Sequence, residues 1–490
     1  MRYSSRVPAC LLAAALALGL TSWPATAQQT PAGNGTQLSP STNQTPQLPA
    51  TNEAPQPSVQ LEQPGGAVQA PVTITLTDAI ARAQKLNAQY LSTVNGAKNA
   101  HENALQSRNA MLPQVSALSQ YLGTQGNGNL PLGTASGRFV TQDGVHVYRA
   151  WGVFHQDLSP TTYLGTGYHY SKAAEALANA QAEIAKRGLA VTVTNSYYGL
   201  AAAQRNYAAA QEALSEAQHF LTITQDQEQH GLVAHADVLK AQVQFEQEQQ
   251  AFDQANLAME DARLSLAVLL FPALNENFTV VDDLDTPPAL PRFSEMQDMA
   301  GKNNPDLQGA METLREADVD VTAAKGAFLP SFSIDTDYGI EANTFALRSV
   351  VAADPAKGPL PNLGYFITAG VTIPVFDWGT LRSKLHQSET NREQARIQLS
   401  ETQRQTLANL YAYYNAASVA GGTMNTARQA ANDAAESLRL TVLRYQAGES
   451  TALEVVAAET TLTQARTNYS STALQYRVAL ATLQTLTGPF

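Results

Sequence analysis

The chain has 490 residues with 42 acidic and 30 basic side chains, and its formal net charge is −12 at pH 7. Such an excess of negative charge argues against nucleic acid and against anionic membrane surfaces as partners. Its length would allow several domains and does not by itself choose among architectures.

The first 27 residues have the pattern of a secretory signal peptide. Arg2 and Arg6 precede an apolar run over residues 9–20, and Ala25-Thr26-Ala27 offers a cleavage site. Cleavage there removes both arginines and takes the formal charge from −12 to −14. The apolar run is too short to span a bilayer as a helix, and no later segment approaches about 20 uninterrupted apolar residues. Any insertion into a membrane is therefore expected as a β-barrel.

Residues 28–71 are rich in Gln, Pro, Thr, Asn and Gly and poor in apolar side chains. Such a segment cannot bury enough surface to fold, so we predict a disordered leader that spaces the folded part from the signal peptide.

The sequence offers no recognisable catalytic or metal motif. Cys10, the only cysteine, lies within the predicted signal peptide, so the mature chain has no thiolate ligand or Cys nucleophile. Walker, G-x-S-x-G and H-E-x-x-H motifs are absent from the sequence. His230 and His235 are the closest histidine pair, and their spacing across a glycine suits a metal poorly. We predict a protein without catalysis, cofactor or metal.

The two halves of the chain repeat one another at a constant offset. Leu112-Pro113 matches Leu329-Pro330, and Gly231 matches Gly448, each 217 positions apart. We predict two repeats, residues 72–272 and 290–489, each with a helix, a Leu-Pro break, two strands, a very long helix, a glycine turn and a final helix.

Four strands are predicted, at residues 114–121, 147–156, 331–338 and 365–373. In the third, Phe332, Ile334 and Tyr338 alternate with Ser and Asp. This pattern is typical of a barrel strand with a wet lumen, although a strand of a soluble sandwich shows it too. Because the smallest single-chain barrels have about 8 strands, several protomers must contribute to one barrel.

The predicted long helices, residues 171–230 and 381–447, would each reach on the order of 90 Å. Each final helix carries a heptad seam with one polar exception. The first seam comprises Val238, Ala241, Phe245, Glu248, Phe252, Ala255, Met259, Ala262, Leu266 and Leu269, and the same positions plus 217 give a second seam from Val455 to Leu486. The seams favour a wall of packed helices, with an ordinary intramolecular coiled coil as the alternative.

Several segments resemble the TolC family of outer-membrane efflux proteins. They are the segment AAKGAFLPS at residues 323–331, the segment IPVFDWG at residues 373–379, the repeat start LTDAI at residues 76–80, and Asn304-Pro305. The resemblance covers about residues 74–489. It implies a mainly α trimer with a β-barrel part, in which four strands per protomer form a twelve-stranded membrane barrel continued by a long α-helical periplasmic tunnel.

The resemblance also implies a function. The protein would be the outer-membrane exit duct of a tripartite efflux or secretion pump, passive and without a cofactor. Its partners would be two further copies of itself, a periplasmic adaptor, an inner-membrane pump and outer-membrane lipid. A periplasmic coiled-coil scaffold is the alternative; it explains the signal peptide and the seams but not the four strands.

Family members close their periplasmic tip near two helix turns, which also lie where the adaptor docks. The matching residues here are Gly231, Leu232 and Val233 in the first turn and Gly448 in the second. The resemblance implies a closing hydrogen bond between Tyr445 and Asp237. A second closing bond, between an arginine and a threonine, is expected to be missing, because Ser450 and Ala236 occupy those positions.

The pore constriction of the family often has two acidic residues per chain. Glu454 fills the first position, and Ala457 replaces the second. A ring of three Glu454 carboxylates would favour cations, and the three would raise one another's pKa. Alternatively, Glu454 is a solvated glutamate at a helix start, where the helix dipole favours it.

Overall fold

The computed structural model describes residues 72–123, 146–231, 233–272, 277–342, 344–348 and 361–490. The predicted signal peptide (1–27) and leader (28–71) lie outside these residues, as does Leu232 of the first tip turn. What the sequence indicates for them stays a prediction.

The two halves contain matching elements. The first half consists of β1 (Val72–Ile74), α1 (Leu76–Leu86), α2 (Ala88–Asn109), β2 (Gln114–Gly123), β3 (His146–Leu158), α3 (Pro160–Tyr163), α4 (Thr166–Gln229) and α5 (His235–Leu270). The second consists of β4 (Phe278–Val280), α6 (Phe293–Asn303), α7 (Pro305–Gly326), β5 (Ser331–Ala342), β6 (Leu363–Thr372), α8 (Thr380–Gln446) and α9 (Ala452–Thr487). Helices α1 and α6 have 11 residues each, α2 and α7 have 22, and α5 and α9 have 36. The structure therefore has the two repeats that the sequence offset indicates.

The single helix predicted before each Leu-Pro break is wrong, because each half has two helices there. Asn87 separates α1 from α2, and its Oδ1 accepts a hydrogen bond from Tyr90 N at 2.8 Å. Asn304 separates α6 from α7 and accepts from Leu307 N at 2.9 Å. An N-cap asparagine supplies an acceptor for an amide that a helix start leaves unpaired, so a new helix begins at each asparagine.

Two long hairpins dominate the helical part. Helices α4 and α5 pack together as the first hairpin, α8 and α9 pack together as the second, and α4 also contacts α9. At 64 and 67 residues, α4 and α8 each extend about 100 Å. The long helices are thus confirmed, and the residues of both seams are buried or half-buried as predicted. No described helix has both the length and the apolar character that crossing a membrane requires.

The four predicted strands form one antiparallel sheet in the order β2-β3-β5-β6. Its register places Tyr121 opposite Tyr148 and Tyr338 opposite Tyr365, so most of the exposed apolar side chains of the four strands share one face. The exposed apolar residues of this face are Val115, Tyr121, Phe154, Leu158, Phe332, Ile334, Tyr338, Leu363, Tyr365, Ile367 and Val371. Register thus reveals an apolar face even in β2 and β3, whose alternation is weak in the sequence.

The opposite face of the sheet carries polar pairs, together with a few exposed apolar residues, Leu118, Leu122 and Phe366. The Nδ1 atom of His155 lies 2.5 Å from Oδ1 of Asp335, and the Nη2 atom of Arg149 lies 2.9 Å from Oε1 of Glu341. Strands β2 and β6 are the two edges of the sheet within one protomer. An edge strand presents unpaired backbone groups, so both edges can accept a further strand.

A core next to the short parallel pair β1–β4 joins the two halves. Tyr197 on α4 is 1% exposed, and its hydroxyl lies 3.0 Å from the carbonyl oxygens of Ile74 and Val281. The same hydroxyl accepts a hydrogen bond from Val281 N at 2.9 Å. The Arg477 guanidinium on α9 lies 4.8 Å from the ring centroid of Tyr198, which ties the second hairpin to the same core. This core therefore anchors α4 of the first hairpin and α9 of the second at the same place, next to the β1–β4 pair.

Candidate gate at the tip of the helical hairpins

The two predicted tip turns lie at the ends of the two hairpins. Gly231 follows α4 with φ +70°, and Gly448 follows α8 with φ +78°. The region of positive φ favours glycine because it is costly for residues with a Cβ atom. Val233 follows the first turn and is half-buried. These glycines allow each long helix to stop and the chain to reverse into α5 or α9.

Tyr445 lies in the last turn of α8 and points into the space between the two hairpins. It is 6% exposed, and its ring packs edge-on against Phe220 of α4 with the centroids 5.1 Å apart. Its hydroxyl lies 3.4 Å from Oγ1 of Thr224, which itself donates to the Phe220 carbonyl at 2.8 Å. Tyr445 therefore joins the hairpins mainly by packing.

Asp237 has a different partner from the one that the resemblance implies. It lies in the first turn of α5, where the helix dipole favours an acidic side chain. Its Oδ1 accepts a hydrogen bond from Lys240 Nζ at 3.0 Å. In the described structure the expected Tyr445–Asp237 hydrogen bond is not formed, because Tyr445 faces α4 while Asp237 pairs within its own helix.

Glu454 is exposed and lies in the first turn of α9, where it bonds to the residues that precede the helix. Thr451 is the N-cap residue, and Glu454 Oε1 and Oε2 accept hydrogen bonds from the hydroxyls of Thr451 (3.2 Å) and Ser450 (2.9 Å). The hydrogen bond from Ser450, followed by those from Thr451, lowers the pKa of Glu454 below its ordinary value. Within one protomer Glu454 is thus an ionised helix-start residue, and the mutual pKa increase expected for a ring of three would require the assembled protein.

Ser450 makes a hydrogen bond that the sequence does not indicate. It stands where the resemblance expects a latch arginine, and here it donates to Glu454. The first turn has a comparable local bond, because His235 Nδ1 lies 2.7 Å from Oε1 of Glu228 across the Gly231 turn. Phe220 and Thr224, the neighbours of Tyr445, were also not predicted. Their surroundings in α4 give no signal that distinguishes them from the other buried residues of that helix.

Apolar side chains remain exposed around the tip. Leu239 and Val243 on α5, Leu443 on α8 and Leu453 on α9 each leave half or more of their surface exposed. Protein–protein contact surfaces often expose aliphatic residues, so these four are candidates for a contact at the tip.

The model of the family described as outer membrane efflux protein matches residues 163–270 and 297–489, which together are more than half of the chain. The match falls within the two predicted repeats, whose outer limits stay a prediction.

Among curated proteins, the pyoverdine export outer membrane protein OpmQ of Pseudomonas aeruginosa is 26% identical over 297 residues, which is 59% of this chain and 57% of that protein. The probable efflux pump outer membrane protein TtgC of Pseudomonas putida is 23% identical over 208 residues, which is 42% of this chain and 40% of that protein. The aligned region thus spans less than two thirds of these relatives.

Among solved structures, the open state of the MtrE outer membrane channel of Neisseria gonorrhoeae has a TM-score of 0.67 at 19% identity, with 84% of this chain and 88% of that chain covered. The outer membrane protein VceC of Vibrio cholerae has a TM-score of 0.66 at 17% identity, with 84% and 96% covered. At such low identity these likenesses concern the fold. Together with the family match over more than half of the sequence, they show that the chain belongs to the TolC family of outer membrane efflux proteins.

Proposed function

We propose that the protein is the outer-membrane exit duct of a tripartite efflux or secretion system. One observation carries the proposal. A single protomer combines a four-stranded sheet, with most of its exposed apolar residues on one face, and two helical hairpins whose long helices extend about 100 Å. A sheet with most of its exposed apolar residues on one face and polar pairs on the other suits a wall between lipid and water. The long hairpins suit a tunnel across the periplasm.

The working form in this proposal is a homotrimer. Four strands cannot close a barrel alone, whereas three copies joined through the free edges of β2 and β6 supply twelve. Closure removes every exposed strand edge, which a lipid environment requires because no water is present there to pair with backbone groups.

The partners in this proposal are an adaptor at the tip and an inner-membrane pump that supplies the energy. The exposed aliphatic residues at the tip, Leu239, Val243, Leu443 and Leu453, support a protein contact there. The relatives named above are described as export and efflux-pump outer membrane proteins. The duct needs no catalysis and no cofactor, because the flow through it is passive.

Disulfide cross-linking tests the proposed closure of the barrel. The mature chain lacks cysteine, so any disulfide that forms must join the introduced cysteines. Cysteines placed singly along β2, such as Ser116→Cys, are combined with cysteines along β6, such as Thr368→Cys. We expect oxidation to give covalent trimers for the pairs in register, and only monomers when either cysteine is moved to α2. Monomers from every β2–β6 pair would refute closure through these edges.

A further inference from the structure

A cluster of three glutamates lies where the second hairpin packs against the first. Glu216 is on α4, Glu248 on α5 and Glu459 on α9. Glu459 is 7% exposed and Glu248 is 8% exposed, while Glu216 is half-buried. Glu248 is also the polar exception in the first heptad seam, a position where an apolar residue would be expected. The sequence therefore places carboxyl groups at a helix contact that should otherwise be apolar.

The carboxyl group of Glu459 is incompletely paired. Its Oε2 atom is buried and has no hydrogen-bond partner in the described part of the protein. Glu248 is better satisfied, because its Oε1 accepts from Gln244 Nε2 at 2.7 Å. Burying a carboxylate without a partner is costly, and protonation removes that cost. The geometry alone therefore favours the neutral acid at Glu459.

The basic groups nearby are already engaged. A cleft of about 400 Å³ between α4, α8 and α9 is lined by Glu459, Glu216, His219, Arg439 and Arg466, among others. Arg466 pairs with Glu212 of α4 at 2.8 Å, and Arg439 pairs with Glu436 of its own helix at 2.8 Å. The charged groups that face the cluster are thus the Arg466–Glu212 and Arg439–Glu436 pairs, and His219 also lines the cleft.

Burial raises the pKa of all three groups, and like charge adds to this at Glu459 and Glu216, where the charge of Arg466 partly opposes it. Burial, followed by the charges of Glu216 and Glu248, raises the pKa of Glu459 to about 7. Burial also raises the pKa of Glu248 and, together with the charge of Glu212, that of Glu216. At least one proton therefore resides in the cluster at pH values where an exposed glutamate is ionised.

We propose that Glu216, Glu248 and Glu459 form a proton-dependent contact between the two hairpins. With a proton bound, α9 packs against α4 and α5 through apolar neighbours such as Val455 and Leu462, which are buried on either side of Glu459. Loss of the proton places uncompensated like charges in the contact and loosens it. Because α9 begins just after the Gly448 turn, a weaker contact also makes the tip more mobile. This last consequence rests on the proposed duct function, but the contact itself does not.

Hydrogen–deuterium exchange of the purified full-length mature protein tests the contact directly. The readout is the protection of peptides within residues 455–466, corrected for the intrinsic effect of pH on exchange. An opening step that releases one proton becomes about tenfold more favourable per pH unit between the two pKa values of that proton. We therefore expect protection to fall about tenfold per unit from about pH 5 to pH 7 and to level off above it.

Variants assign this slope to the cluster. Glu459→Gln keeps the shape of the protonated side chain and cannot ionise, so we expect most of the slope to be lost, with protection retained at high pH. Glu246→Gln is the matched control: it lies two residues before Glu248, is exposed, and should keep the wild-type slope. A flat wild-type profile, or an unchanged slope in Glu459→Gln, would overturn the proposal.

Infrared difference spectra of the wild-type protein give a second reading that does not depend on any variant folding. A carboxylic acid C=O band should disappear as the pH is raised through about 7. If no such band titrates in the neutral range, no proton is held in the cluster and the proposal fails. Neither measurement requires a working channel, so failure here is distinguishable from failure of the proposed duct function.

Discussion

The contact of Tyr445 with α4 allows packing and hydrogen bonding at the tip to be separated. Its hydroxyl is 3.4 Å from Thr224 Oγ1, at the limit of a hydrogen bond, and Thr224 keeps its bond to the Phe220 carbonyl without it. We expect Tyr445→Phe to cost less than about 1 kcal/mol, the usual net value of a hydrogen bond. Tyr445→Ala also removes the buried ring that packs on Phe220, and such truncations cost about 3–5 kcal/mol.

Deuterium exchange of peptides in the last turns of α4 and α8 measures this difference. One kilocalorie corresponds to about a fivefold change in the local opening equilibrium, so Tyr445→Phe should change protection by less than about fivefold. Tyr445→Ala should reduce it by more than a hundredfold or until exchange is unprotected. Tyr411→Phe, at an exposed position on α8, serves as the control. If Tyr445→Phe were as damaging as Tyr445→Ala, the hydroxyl and not the ring would hold the tip.

Three further predictions concern stability. Tyr197→Phe leaves Val281 N–H with only its longer hydrogen bond to the Ile74 carbonyl at 3.3 Å, and it removes the buried hydroxyl that donates to the carbonyls of the β1–β4 pair, so we expect a loss of about 1–3 kcal/mol, measured by denaturant unfolding. Gly448→Ala places a Cβ at φ +78° and should cost about 1–2 kcal/mol, whereas Gly422→Ala within α8 should be neutral or stabilising. The pKa of Glu459 is raised in the folded protein, so the stability that its proton contributes is fully present below the ordinary pKa of 4.5 and is lost as the pH rises to about 7. Relative to Glu459→Gln, the wild type should therefore lose roughly 1.4 kcal/mol of unfolding free energy per pH unit in that window. Above about pH 7 the difference should be constant.

The plan of the fold could be predicted because it depends on periodic features. The 217-residue offset, the heptad seams and Gly231 and Gly448 each have a strong local signal: repetition, spacing, and a backbone conformation that suits glycine. The apolar face of β2 was weaker in the sequence, because it becomes evident only when the register joins it to β3 and β5.

The details of the tip could not be predicted, because they depend on which helix faces which. Tyr445 and Asp237 are both present as the family resemblance expects, yet Tyr445 packs on Phe220 and Asp237 pairs with Lys240. The Asn87 junction is an N-cap whose signal is short and was outweighed by the helical composition around it. The burial of Glu459 follows from α9 packing on the first hairpin, a contact distant in sequence.

The most direct test of the duct is the single-channel conductance of the purified mature protein in a planar bilayer. We predict discrete channel openings that are selective for cations, as measured by reversal potentials. The selectivity should be weaker in Glu454→Gln but unchanged in Glu436→Gln, a control at an exposed position. The absence of any conductance from folded trimers inserted in the bilayer would contradict the duct and favour a periplasmic scaffold.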